Sequence, residues 1–337
     1  MSDEQALSYE TPLLVERPFW HRFLPSRQKI PIFATIGVFI VLYVLGIANY
    51  RNFGSYNVFV NLLQNNATLG LAAVGMTFVI LSGGIDLSVG AIVSLVSITT
   101  ASLIMKAEFN PLLVFAIVLI GGTLFGLMQG ALIAFFALPP FLVTLAGLFL
   151  GSGLALLVSR ESISIKHDLY TAVADFSWNY FPVTAILFLS MLAIGWWLAH
   201  QTRFGRAVYA IGGNEQSALF MGVAVKRTKV LTYGFSGFCA ALGGIVMTFF
   251  LSSGNSTSGN LLELDAIAAV VIGGTLLTGG VGYILGTLIG VLILGLIQTI
   301  ISFDGRFDSF TTKLFIGGLL LAFILLQKVV QGRAGKA

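Results

Sequence analysis

The residues able to do bond-making chemistry are few and scattered. His21, His167 and His200 lie far apart, and the single Cys239 stands in an apolar run. Zinc needs closely gathered nitrogen and sulfur ligands, so no metal site is expected. Ser and Thr are plentiful, but no nucleophile–base constellation is readable, which argues against an intramembrane hydrolase. There is no G-x-x-x-x-G-K-[ST] phosphate loop. Leu81-Ser82-Gly83-Gly84 has the look of an ATPase signature but lies between two long apolar runs. Gly280-Val281-Gly282 is not followed by the third glycine of a dinucleotide fingerprint. No catalytic residue and no cofactor is expected.

What remains is polar residues inside apolar stretches. Asp86, Glu263 and Asp265 are the acids nearest such stretches. A charge at the centre of a bilayer costs about 3 kcal/mol on insertion scales, so each needs a reason to be there. Asp86 follows Gly83-Gly84 and is placed to cap a helix or support a gate. Glu263 and Asp265 are placed to stabilise a helix start. Asn61, Gln64, Asn65 and Asn66 cluster in one apolar stretch, and Gln129 and Gln298 interrupt two others. Amide side chains hydrogen-bond sugar hydroxyls, so with Asp86 these are candidates for a translocation path or its gate. The competing role for each is a hydrogen bond between helices.

Composition says what must hold these residues in place. Of 337 residues, 57% are apolar and 39 are Gly, while only 9% are charged, against about 25% in a typical soluble chain. So few charges cannot cover the surface of a soluble fold of this size. An ordinary soluble enzyme, a disordered chain and a disulfide scaffold are excluded. The net charge of +4 is no nucleic-acid footprint. The sequence predicts an all-α polytopic membrane protein.

A spanning helix takes about 20 predominantly apolar residues. Stretches free of charge, extended in places over a charged residue at an end and cut at Pro139-Pro140 and at the glycine cluster 279–282, predict ten spans. They are 31–48, 58–81, 86–105, 111–136, 140–159, 182–200, 230–251, 262–278, 282–302 and 312–328. Residues 1–29 read as a polar tail without a cleavable signal, and 329–337 as a second tail. With both tails in the cytoplasm, twelve Lys and Arg fall inside and six outside, the asymmetry expected of a multi-pass inner-membrane protein. Two loops stand out: an external one over 160–181, and a basic cytoplasmic one over 201–229, long enough for one or two short helices.

Glycines mark close contacts and breaks. Gly122, Gly126 and Gly130, Gly147 and Gly151, and Gly282, Gly286 and Gly290 recur every fourth residue, which predicts tight helix packing. Leu81–Ser88 and Gly273–Gly282 interrupt helices near membrane depth and are weakly alike, a hint of a duplicated core. Such backbone survives only where protein buries it or a wet cavity meets it. The pair Gly212-Gly213 in the cytoplasmic loop suggests unusual backbone angles there.

Three stretches together resemble the permeases of ribose-type bacterial ABC sugar importers. They are AVGMTFVILSGGIDLSVG (73–90), TRFGRAVYAIGGNE (202–215) and ELDAIAAVVIGGT (263–275). The resemblance covers about 31–328 and implies a type II importer-like permease with broken helices. It also implies a separate tandem-domain ABC ATPase and a periplasmic sugar-binding protein as partners. Arg203, Gly205, Arg206, Gly212, Gly213, Asn214 and Glu215 match the family's loop motif, which implies that they couple the permease to the ATPase. Within the family, RESISI (160–165) and QTIISFDG (298–305) are similar to a permease of the galactofuranose importer. That implies a heterodimer with a second, homologous permease. The rival reading is an ion-coupled secondary sugar transporter, a class that needs a carboxylate or His at midplane, where this chain offers mainly Asp86.

Overall fold

The computed structural model describes residues 30–178, 181–305 and 309–334. The expected tail 1–29, two positions of the external loop, residues 306–308 and residues 335–337 lie outside the described residues. The rest is a helical bundle, and every predicted span has a helical counterpart. The first is α1 (Ile30–Asn49), and the second is α2 (Tyr56–Asn65) followed by α3 (Ala67–Leu81). Next come α4 (Val89–Met105), α5 (Pro111–Phe135) and α6 (Pro140–Val158). A short α7 (Asp168–Asp175) precedes α8 (Val183–Gln201). Two more short helices follow, α9 (Arg203–Gly213) and α10 (Glu215–Phe220), and then α11 (Val225–Leu251). The chain closes with α12 (Leu262–Ile272), α13 (Ile284–Asp304) and α14 (Ser309–Ala334).

Among the described residues, seven helices are long and apolar enough to cross a membrane unaided. Three predicted spans differ from straight rods. The second bends by 56° between α2 and α3. There Asn66 turns its side-chain amide back to the Leu62 carbonyl, 2.8 Å away. The third, α4, has 17 residues, and the eighth, α12, has 11. At 1.5 Å per residue α12 reaches only about 16 Å, roughly half the hydrocarbon layer. The predicted end at 278 is therefore corrected to Ile272, because Gly273-Gly274 turns the backbone out of the helix. At the far end α14 continues past Lys328 to Ala334, and the apolar window of this helix is Thr311–Lys328.

Helix α3 is the axis of the fold, with all fifteen of its residues buried. A helix apolar all round can only be a core helix or a span, and here α8, α11, α12 and α13 surround it. The predicted glycine faces all point inward. An added Cβ at Gly122 would meet Ala241 Cβ at 2.6 Å, and one at Gly126 would collide with the Tyr233 carbonyl. One at Gly130 would lie 2.8 Å from Val230 Cα. The same close approach joins α12 to α13, where Gly286 and Gly290 face the carbonyls of Gly273 and Ala269. Exposed Leu and Phe side chains cover α1, α5, α6 and α14, as lipid-facing surfaces require. At one end of the bundle, strands β1 (Ile163–Ser164) and β2 (Ser253–Gly254) pair antiparallel. They tie the predicted external loop to the end of α11, and Tyr170 adds a 2.9 Å hydroxyl contact to Thr248.

Candidate functional site

Helix α3 stops where glycine lets it. Gly83 takes φ +81°, and the Gly84 amide returns to the Val79 carbonyl at 2.9 Å. Asp86, 1% exposed, sits in the break before α4. Its Oδ1 accepts from the Ser88 amide at 3.0 Å and the Ser88 hydroxyl at 2.7 Å. Its Oδ2 accepts from the Ser236 hydroxyl of α11 at 2.7 Å. The Gln129 amide of α5 donates to Ser88 Oγ at 2.9 Å, and the Thr144 hydroxyl of α6 donates to the Ile85 carbonyl at 3.2 Å. A buried carboxylate is tolerable only when hydrogen bonds replace its water. These bonds do so, and they join the break to three neighbouring helices. The N-cap of α4 is Ser88, which has no side-chain cap bond, so Asp86 does not cap the helix itself but braces the break in front of it. Sequence reasoning had no signal for Ser236, which lies 150 positions away.

The second break runs from Gly273 to Tyr283. Gly274, Gly279 and Gly280 have φ of +91°, +85° and +74°, angles that side chains disfavour. The Leu276 amide bonds to the Val281 carbonyl at 2.9 Å, closing a small loop.

The predicted coupling loop is two helices, and the first of them touches both breaks. Thr202 caps α9 by accepting from the Gly205 amide at 3.2 Å. Asn214 caps α10 by accepting from the Ser217 amide at 2.8 Å. Gly205 allows the tight turn from α8, since a Cβ there would strike the carbonyls of Leu198 and Ala199. The Tyr209 hydroxyl donates to the Gly282 carbonyl at 2.8 Å. Gly212 lies against the Leu81 carbonyl and the Gly280 amide, which bond to each other at 2.9 Å. Gly212 and Gly213 are ordinary helical residues with negative φ, contrary to the expectation of unusual angles. Close approach explains Gly212. A Cβ at Gly213 would meet nothing within 4 Å.

Beyond this contact the loop is open. Leu219, Phe220 and Met221 at the end of α10 are 60%, 88% and 71% exposed, an apolar tip on a polar segment. Arg203, Arg206 and Arg227 border a groove floored by Phe204, Val223 and Leu231. Glu215 is paired with Lys229 at 2.7 Å. Because the pair is exposed it contributes at most about 1 kcal/mol. Reversing Glu215 would act first inside the loop.

The remaining amide candidates separate into two groups. Asn66 and Gln129 are buried, Asn66 against Gly295 and Gln129 against Gly147. Both brace helices. Asn61, Asn65 and Gln298 are exposed and Gln64 half-buried, on the contacting helices α2 and α13. Exposed amides within apolar spans call for water or a polar partner beside them. Among the described residues no group of three His, Cys, Asp or Glu could hold a metal.

The sequence profile described as "Branched-chain amino acid transport system / permease component" matches residues 58–324. The inner membrane ABC transporter permease protein YjfF of Escherichia coli is 47% identical over 90% of this chain and 93% of its own length. The fructose import permease protein FruG of Bifidobacterium longum is 38% identical, covering 93% of this chain and 95% of its own. The ribose import permease protein RbsC of Bacillus subtilis is 41% identical, covering 87% and 91%. No solved structure matches the chain. A family profile spanning most of the chain and relatives aligned along nearly their whole length agree with a bundle of broken helices. The chain belongs to the family of membrane-spanning permease components of ribose-type ABC sugar importers.

Proposed function

We propose that this chain is the non-catalytic, membrane-spanning half of an ATP-driven sugar importer in a bacterial inner membrane, with galactofuranose as its sugar. One observation carries the reading: the exposed segment α9–α10 rests on both helix breaks. Such a part converts an outside push into movement of the spans, with no covalent step. The cytoplasmic partner is a tandem-domain ATPase that receives the apolar tip Leu219, Phe220 and Met221, while Arg203, Arg206 and Arg227 meet acidic groups on it. A second, homologous permease faces α2 and α13. The amides of Asn61, Gln64, Asn65 and Gln298 then line a shared path. A periplasmic sugar-binding protein delivers substrate to the opposite end. Residues 30–328 act as one transmembrane domain.

Two expected results test this. Uptake of labelled pentoses and hexoses in both ring forms should single out the furanose form of galactose. Equal uptake of ribose or fructose would move the substrate to that sugar, and no sugar uptake at all would overturn the reading. Both termini are proposed to be cytoplasmic, so Glu215→Cys should resist a membrane-impermeant thiol reagent in intact cells while Glu161→Cys reacts. The native Cys239 is fully buried and stays silent. Strong labelling at position 215 from outside would invert the topology.

A further inference from the structure

At one point the two helix breaks and α9 meet backbone against backbone. The Leu81 carbonyl of the first break accepts from the Gly280 amide of the second at 2.9 Å. A Cβ at Gly279 would lie 2.8 Å from the Gly83 nitrogen and 3.1 Å from Gly212 Cα. One at Gly280 would lie 2.7 Å from both the nitrogen and the Cα of Gly213. One at Gly212 would overlap both the Leu81 oxygen and the Gly280 nitrogen, and so would wedge apart the bond between the breaks. Three chain segments, distant in sequence, thus touch at a point where no side chain intervenes.

A contact of this kind is stiff. Side chains adapt by changing rotamer, whereas backbone against backbone has no such freedom, and packed interiors transmit strain. Tyr209 adds a second fixing point 2.8 Å from the Gly282 carbonyl, on the other side of the second break. Burial, with Tyr283 beside it, pushes the Tyr209 phenol up to about 12, so it remains a donor at any physiological pH. Helix α9 is therefore held to the second break at two places and to the first break at one.

We infer that α9 and both helix breaks move as one rigid body, with Gly212 and Tyr209 as the positioning residues that lock them together. This deepens the proposed coupling role of the 201–229 segment and rests on it. Displacement of α9 then reaches α3 and α4 through the first break, and α12 and α13 through the second, in a single motion. No relay of side chains is required.

The test uses the assembled transporter with two introduced cysteines, Gly213→Cys and Leu277→Cys, each carrying a spin label. Position 213 has open space and Leu277 is exposed, so labels fit without disturbing the contact. The inter-label distance should be the same in the nucleotide-free and ATP-bound states. A change of about 5 Å or more, the scale of a one-turn ratchet, would show that α9 slides past the second break and would overturn the inference. That reading does not depend on transport, so it stays separate from any failure of the proposed function.

Substitutions supply the second measurement. Gly212→Ala should lower sugar moved per ATP by about tenfold while ATP hydrolysis and the amount of assembled complex are retained. Gly121→Ala on α5, outside the contact and with nothing within 4 Å of its Cβ, should match the parent. Tyr209→Phe removes one hydrogen bond at nearly constant volume and should give a smaller loss. Should Gly212→Ala fail to assemble, the distance measurement and Tyr209→Phe decide the matter. Normal coupling in both Gly212→Ala and Tyr209→Phe would overturn the inference.

Discussion

Gly126→Val is expected to leave little folded permease, whereas Gly121→Val on the same helix leaves the protein intact. Gly126 lies on the face of α5 that meets α11, where a Cβ would run into the Tyr233 carbonyl and come within 3.2 Å of Gly237 Cα. Gly121 faces outward, and a Cβ there meets nothing within 4 Å. Both substitutions carry the same intrinsic cost of a β-branched residue in a helix, at most about 0.7 kcal/mol against Ala, so that term cancels in the comparison. What differs is overpacking, typically 1–3 kcal/mol and more where the obstacle is backbone that cannot change rotamer. Tyr233 is itself buried, and α11 is fixed on its other faces by α3 and α4, so α11 has little room to retreat. The measurement is the yield of monodisperse protein in detergent and its thermal unfolding midpoint. Equal yields and midpoints for the two variants would show that α5 and α11 are not in backbone contact.

The sequence located the helices because the cost of burying charge is paid residue by residue and is visible locally. Stretches with few or no Asp, Glu, Lys or Arg picked out a helical counterpart for every span, and Pro111 and Pro140 fell at the first turns of α5 and α6. The bend at Asn66 was not legible. Neither Gly nor Pro marks it, and its cause is one amide that turns back on the preceding turn and is wedged against Gly295. The early end of α12 was half legible. The glycines were seen, but which of them would leave the helix depends on positive φ at Gly274, Gly279 and Gly280.

For the site, the balance shifts from local to distant causes. The pairs Gly83-Gly84, Gly212-Gly213 and Gly279-Gly280 were each noticed as backbone features. Nothing in their spacing says that all three meet, because they are brought together only when α8 and α9 fold back onto α3. Likewise Asp86 was legible only as a helix cap or support for a gate, while its bond to Ser236 depends on α11 lying alongside the break. Amide residues could be identified as candidates, but only burial separates the bracing pair, Asn66 and Gln129, from the exposed Asn61, Asn65 and Gln298.

Sugar uptake is expected to stop when the partner ATPase is disabled and to continue when the proton gradient is collapsed with ATP maintained. The chain holds no phosphate loop of its own, so under the proposed function hydrolysis comes from another subunit. Ion-coupled carriers need a titratable group at midplane that opens alternately to each side. Asp86 is the nearest to such a group, yet it is sealed by Ser88 and Ser236 and is 1% exposed. The most direct measurement is uptake of the labelled sugar by vesicles containing the reconstituted transporter and its binding protein, with ATP supplied on the ATPase side. Accumulation should require ATP and an intact ATPase, and should be unchanged when an uncoupler abolishes the proton gradient. Accumulation driven by the gradient without ATP, and lost on uncoupling, would contradict the assignment and make the chain an ion-coupled carrier.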